Sequence, residues 1–346
     1  MSERDGNPDE STPERGVDRG RRRFLRLAGG GALGLGGARV GYEVTGYGRV
    51  FGTNLPEQDL APLAARRLDT HPFDLTAAGT RLRFDGDAVT LHAADGDRRT
   101  TVPVADATPD EAADAGAAYG VSSPLRALSA DLDALDAGDV AFEFLDTRAF
   151  FDRLADARTR PFTVATLRGE HYRQPSATTV RAFTGRDPRD PEALVDGLAD
   201  GFREHSHFDV TRYVVGLLQD YLLFDTVPLR AYDAESTAFH TLLDGSTGLY
   251  CWEYTVRAIE AFHVAPPHRQ TAPVLGAIVR DDRHNHMYAA LASAVRADGG
   301  LVVPMTFLDY SHSTMYDTYR LRWAFGDGVD AYDDQHRASA IHYSNA

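Results

Sequence analysis

Lysine is absent from all 346 residues, and cysteine and tryptophan occur only once and twice. A lone cysteine excludes an intramolecular disulfide framework. With no lysine, all 36 basic residues are arginine, and 38 Asp and 13 Glu outnumber them, leaving a net charge of -15. A surface of that sign repels phosphate backbones, which excludes nucleic acid as a partner and makes an anionic membrane a poor one. No apolar run approaches the about 20 residues that a membrane-spanning helix requires. What the chain does hold is 43% hydrophobic and 10% aromatic residues, enough to bury one or two cores and to exclude wholesale disorder.

The excess of Asp without lysine resembles the composition of proteins from extreme halophiles. In concentrated salt the Debye length is about 3 Å or less, so self-repulsion is almost wholly screened. The charge then reflects the solvent and says little about a substrate. Residues 1–20 are polar, Pro- and Gly-rich, and read as a disordered leader. Arg21-Arg22-Arg23-Phe24-Leu25-Arg26 then precedes a Gly/Ala/Leu stretch from Leu27 to Ala38. Residues 21–39 thereby resemble a twin-arginine export signal with a short, weakly apolar core. The alternative, a buried helix, conflicts with its glycines, each costing about 1 kcal/mol of helix propensity. The resemblance implies an exported protein, extracellular or at the cell surface, that meets a membrane only through this segment.

From Val40 to Val104 apolar residues alternate with period two around Asp/Gly turns: Leu82 and Phe84, Asp85-Gly86-Asp87, Val89 and Leu91, Asp95-Gly96-Asp97, Thr101 and Val102. This predicts an antiparallel meander. Residues 107–158 change to helical spacing, as in Leu128, Leu132 and Leu135, with a strand at Val140–Leu145, and Phe162–Leu167 reads as a further strand. Residues 40–170 are thus expected to form a β-rich mixed domain of unassigned role. Beyond them, Asp190 and Pro191 open a helix with Leu194, Leu198 and Phe202 on one face. A second helix, capped by Asp209, runs to Phe224, and a third from Asp233 to Leu243 stops at Asp244-Gly245. A fourth runs from Tyr250 to Phe262. Strands are expected at Val274–Val279, Met287–Val295, Leu301–Leu308 and Tyr316–Trp323. The expected fold class is therefore α+β, with a Cys-bearing helix packed on an antiparallel sheet in residues 171–325 and a C-terminal tail at 326–346.

A nucleophilic thiol must be favoured as thiolate, which the unpaired N–H groups and dipole of a helix N-terminus do. It also needs a base, and a third group to orient that base. Cys251 stands where a loop containing Gly245 and Gly248 turns into a helix. His286 opens a strand 35 residues later, and Asp309 ends the next one 23 residues after that. If the hairpin turns about Asp298 and Gly299, position 286 faces 311. Asp309 then falls one alternation away, within side-chain reach of His286. His284 competes for the same role, but it lies in the Asp281–Arg283 turn, whereas Met287-Tyr288-Ala289 continues a strand from His286. The plain alternative for Cys251 is a small, buried apolar residue.

Across residues 172–312 the text resembles the transglutaminase-like superfamily of papain-fold cysteine enzymes. The resemblance rests on PSATTVRAFTG, VVGLLQDYLLFDT, TAFHTLLDGSTGLYCWEYTVRAIEAF and RHNHMYAALASAVRADGGLVVPMTFLDY. It implies a papain-like core with Cys251 as nucleophile, His286 as general base and acid, Asp309 as orienting carboxylate and Gln219 as an oxyanion-stabilising side chain. It further implies a protein or peptide substrate, with no cofactor and no metal. The chain departs from the usual Gly-Asp-Cys or Gly-x-Cys, since Leu249 and Tyr250 separate Gly248 from Cys251 and Trp252-Glu253 follows. His205-x-His207 with Asp209 has metal-ligand spacing but no fourth ligand nearby, and reads as a solvated helix end. The stretch Tyr310–Tyr316, with His312, either lines a cleft or lies on the surface. The expected function is an exported cysteine hydrolase or acyl transferase acting on an amide bond. The alternative is a non-catalytic binding or scaffold module on the same fold.

Overall fold

The computed structural model describes residues 55, 58–66, 68, 70–85, 88–94, 96–104, 106–168, 175–209, 212, 237–245, 247–282, 286–297, 299–318 and 337–343. A short helix α1 (Ala61–Ala65) precedes four strands, β1 (Phe73–Ala77), β2 (Thr80–Asp85), β3 (Ala88–His92) and β4 (Arg99–Pro103), which pair antiparallel in chain order. The period-two pattern explains why. Leu82, Phe84, Val89 and Leu91 are buried while Arg81, Arg83 and Asp85 are exposed, so one face is apolar and the other wet. Helices α2 (Pro109–Ala117) and α3 (Ser122–Asp136) cover that face with Ala112, Leu125, Leu128 and Leu132. Thr108 and Glu111 start α2 with a reciprocal capping box.

Next come β5 (Val140–Phe144), α4 (Thr147–Asp156), β6 (Arg158–Thr159) and α5 (Pro161–Arg168). The strand expected at Phe162–Leu167 is therefore a helix. Pro161 occupies its first turn, and every residue from Phe162 to Arg168 is buried, which erases the one-sided pattern that marks a helix in sequence. Helices α6 (Ala177–Thr184) and α7 (Pro191–His205) follow, the latter capped by Asp190 accepting from the Ala193 N–H at 3.1 Å. The helix expected from Asp209 to Phe224 lies outside the described residues. Of the next one, the described part is α8 (Phe239–Leu243). Strands β7 (Ser206–Phe208) and β8 (Thr247–Leu249) form a small parallel pair that leads into α9 (Cys251–His263).

The second large sheet contains β9 (Leu275–Asp281), β10 (His286–Ala292), β11 (Val295–Ala297) and β12 (Gly300–Leu308). Both β10 and β11 pair antiparallel with β12, in one register, from Ala289↔Leu308 to Ala297↔Gly300. Their separation has a local cause. Ser293 donates to the carbonyl of Pro304 at 3.0 Å, but Pro304 has no N–H to return. The other edge of β12 takes β5 in parallel, and β6 pairs with β11, so this sheet draws strands from both sides of residue 170. After β12 the chain turns into α10 (Tyr310–Thr318), and β13 (Ala340–His342) closes the far edge on β9. The strand expected at Tyr316–Trp323 is thus helical through Thr318, and its remainder lies outside the described residues. The described architecture is α+β with mainly antiparallel sheets. Leu275, Ala277, Val279, Tyr288, Ala290 and Phe307 face Leu60, Ala64, Val164 and Leu167 in the sheet's main core.

Candidate active site

Helix α9 is held at both ends. At its start Tyr250 is extended (φ -123°, ψ 174°), making Cys251 the first helical residue, and the Glu253 carboxylate accepts the Tyr250 N–H at 3.1 Å. The β7–β8 pair sets the approach, with the Asp209 N–H donating to the Leu249 carbonyl at 2.8 Å. A Cβ at Gly248 would lie 2.6 Å from Asp209 Oδ2, so only glycine allows this contact. At the other end the buried Arg168 guanidinium donates to the carbonyls of His263 and Ala265. Burial pulls its pKa down to about 9. The Gly276 N–H donates to His263 Nε2 at 2.7 Å, and Gly276 lets Ile259 lie directly on β9, where a Cβ would meet it at 2.8 Å.

His286 is the first residue of β10 and Asp309 the first after β12. His286 Nε2 lies 2.5 Å from Asp309 Oδ2, and the ring also hydrogen-bonds the side chain of Cys251. The sequence-derived Cys251, His286 and Asp309 are therefore brought together, with the imidazole in contact with both thiol and carboxylate. Asp309 is placed by more than the strand. Its Oδ1 accepts from Ser311 Oγ at 2.7 Å and from the His312 N–H at 3.0 Å, the geometry of a helix N-cap on α10. The His312 ring also reaches it, with Nδ1 3.0 Å from Oδ2, and stacks on His286 at 4.6 Å between centroids, 14° from parallel. Reading the sequence did not single out His312 for this place. The available signal was the spacing Asp309-x-Ser311-His312, which suits a capping carboxylate.

The cluster is buried, with Cys251 7%, His286 6%, His312 4% and Asp309 1% exposed. Burial works against a charge on His286, but the Asp309 charge and hydrogen bond, followed by the Cys251 side chain, outweigh it and hold His286 well above the ordinary imidazole range. Burial likewise opposes ionisation of Asp309. The charges of His312 and His286, then their hydrogen bonds, reverse that and hold the carboxyl well below its ordinary range.

Among the described residues, His286, Asp309 and His312 are the set of three potential ligands close enough to hold a metal ion, with donor atoms within 4.8 Å of one another. The stacked rings suit that role poorly. Each imidazole lone pair lies in its own ring plane, and two near-parallel, face-to-face planes offer a single ion no common in-plane position. Asp309 Oδ2 is instead a hydrogen-bond partner of His286 Nε2, with His312 Nδ1 in ion-pair range at 3.0 Å. His205, His207 and Asp209 do not form such a set: the His205 ring packs on Phe183 at 5.3 Å, and Asp209 lies against Gly248. Gln219 and His284 lie outside the described residues. Comparison with protein-family models, with curated proteins and with solved structures finds no match to this chain.

Proposed function

We propose that the protein is a transglutaminase-like cysteine hydrolase or acyl transferase, built on a papain-like core and acting on an amide bond of a protein or peptide. One observation carries this reading: the buried His286 hydrogen-bonds the side chain of Cys251, the only cysteine in the sequence, and its Nε2 lies 2.5 Å from the buried Asp309 carboxylate. His286 takes the Cys251 proton as sulfur attacks the carbonyl carbon, and the carbonyl π electrons move to oxygen. The Cys251 and Trp252 amides, at the first two positions of α9, precede the first helical hydrogen bonds to the Tyr250 carbonyl and are the groups that would stabilise that oxyanion. When the tetrahedral species collapses, the C–N bond breaks, the amine leaves with the proton from His286, and a thioester remains on Cys251. Water or a second amine then attacks the thioester, losing a proton to His286, which returns it to sulfur as the S–C bond breaks. Asp309 steadies the imidazolium throughout. The export segment at residues 21–39 suggests that this chemistry takes place outside the cell, in concentrated salt.

The 7% exposure of Cys251 and the bulky Leu249 and Tyr250 before it favour a second reading, a binding or scaffold module that retains the cleft without turnover. Iodoacetamide separates the two. The enzyme reading expects native Cys251 to be alkylated readily at neutral pH and His286→Ala to slow this about 100-fold. Labelling that occurs only after unfolding would leave the binding module as the better account.

A further inference from the structure

We propose that Trp252 is a specificity-determining residue of the Cys251 site, a fixed aromatic wall that receives an apolar side chain next to the carbonyl under attack. The proposal rests on the reading of Cys251 as the nucleophile, and it names the class of peptide that nucleophile takes: one with an aromatic or large aliphatic residue flanking the reacting bond. Among the described residues, Trp252 is the one large hydrophobic side chain that is exposed, at 37%. Of the 13 residues of α9, eleven are buried, Arg257 is half-buried and Trp252 alone is exposed. The helix therefore meets solvent most openly at the residue that follows the thiol.

A single exposed apolar residue on a protein surface calls for no explanation by itself. What distinguishes this one is its place. Adjacent Cα atoms lie about 3.8 Å apart, and successive helical residues are turned by about 100°, so the indole stands beside any acyl group carried on the sulfur. Cys251 is itself 7% exposed and the rest of α9 is covered, so a substrate reaches the thiol past the exposed residue of that first turn. The wall is also held in advance. Most of the Trp252 surface is covered, and the backbone beneath it is fixed where the Tyr250 N–H donates to the Glu253 carboxylate at 3.1 Å. The Glu253 and Tyr254 N–H groups donate to the Tyr250 carbonyl at 2.9 and 3.2 Å. A side chain ordered before binding loses little further freedom on binding.

The chemistry of the occupant follows from the surroundings. A cationic side chain is drawn to an indole face, but here it would also meet the positive end of the α9 dipole, which opposes it. An anionic side chain is favoured by that dipole, yet it would shed water against an apolar ring that offers no compensating donor on its face. An uncharged apolar side chain gains from covering the ring and incurs neither cost. The exposed 37% of Trp252 corresponds to about 60–90 Å² of an aromatic surface of about 150–250 Å². At about 25 cal/mol per Å², covering it is worth about 10- to 40-fold in rate or affinity.

The experiment compares alkylation of Cys251 in native full-length protein by the iodoacetyl derivatives of glycine, phenylalanine, arginine and aspartate amides, sulfur displacing iodide from each. Every rate is divided by the rate for unfolded protein, which removes the intrinsic reactivity of the probe. The phenylalanine probe is expected to react about tenfold faster than the glycine probe, and the arginine and aspartate probes no faster than glycine. Trp252→Ala should bring the phenylalanine-to-glycine ratio close to one, and Trp252→Phe should keep most of it. Because the ratio is taken within each variant, any change in the thiol itself cancels. A wild-type ratio near one, a ratio that survives Trp252→Ala, or a preference for the arginine or aspartate probe would overturn the proposal. Slow labelling by every probe counts instead against the cysteine-enzyme reading. Contact with the wall is then read by fluorescence in Trp323→Phe protein, where Trp252 is the only tryptophan. N-acetylphenylalanine amide should shift its emission to the blue saturably while N-acetylglycine amide does not, and the absence of that shift would overturn the proposal as well.

Discussion

Asp309 is 1% exposed, yet it is surrounded by donors from its own helix and from a neighbouring strand. A buried carboxylate in such a setting acts on stability as well as chemistry. With its pKa lowered on folding, Asp309 contributes stability that is complete above the unfolded value near 3.9 and is lost as pH falls through the folded one. His286, raised on folding, contributes stability that is complete below an unfolded value near 6.5 and is lost as pH rises through the folded one. The full effect of the pair therefore spans roughly pH 4 to 6.5. Asp309→Asn should cost most within that window and progressively less on either side, as urea midpoints measured across pH will show. A penalty independent of pH would mean that the pair is not ionised. At this scale the sequence was informative where chemistry has a spacing rule. Cys251 at a loop-to-helix junction and His286 within one alternation of Asp309 across a hairpin are both readable from periodicity. The His312 ring was not, because a His in a Tyr- and His-rich stretch looks the same whether it lies on a surface or turns inward to its own capping residue.

The element that determines whether Cys251 can work is the approach to α9, where β8 runs beside β7 and Gly248 rests on Asp209. Gly248→Ala would place a Cβ 2.6 Å from Asp209 Oδ2 and 2.8 Å from its Cβ, so the loop or the β7–β8 pair must shift. Overpacking of this kind costs about 1–3 kcal/mol. The expected signature is a moderate loss of stability together with a larger change in iodoacetamide rate at Cys251, the reacting atom being only three residues away. A stability loss with an unchanged alkylation rate would show that the loop does not set the thiol. Elements were legible where one face is wet, as in β1–β4 and α7. Two were misread, one buried on all sides and one with an unusual cap, although the similarly buried strands β9, β10 and β12 match their expected ranges closely. Phe162–Leu167 gives no amphipathic signal because both sides are buried, and α10 begins with a side-chain cap immediately after a long strand. The hairpin register illustrates the boundary between the two cases. The ladder observed from Ala297↔Gly300 to Ala289↔Leu308 extrapolates to 286 facing 311, as the turn position implies, but regular pairing ends before Asp309 and the N-cap completes the placement.

At the scale of the whole molecule, a net charge of -15 places most ionic groups where salt can screen them. Exposed pairs such as Arg81–Asp74, whose side chains are 61% and 32% exposed, contribute little and fade in concentrated salt. Asp131 is the opposite case. It is 0% exposed on α3 and accepts from Arg160 Nε at 2.7 Å, Thr163 Oγ1 at 2.5 Å and Arg296 Nε at 2.9 Å. The two guanidinium groups also donate to the carbonyls of Ala127 and Ala130. One carboxylate thus joins the helix that covers the meander to the start of α5 and to β11 of the second sheet. No periodicity rule in the sequence announced this, since the partners lie 29, 32 and 165 residues along the chain from Asp131. Removing the centre of such a network leaves two arginines without their counter-ion, and breaking a buried pair in this way costs about 3–5 kcal/mol. Asp131→Ala should therefore lose that much in dilute and in multimolar salt alike, because the network is shielded from mobile ions. Arg81→Ala should lose less than about 1 kcal/mol, and nothing once salt is raised. Parallel denaturation series in the two media measure both. An Asp131→Ala penalty that disappeared in concentrated salt would mean that the network is reached by solvent and that the two sheets are joined by apolar packing alone.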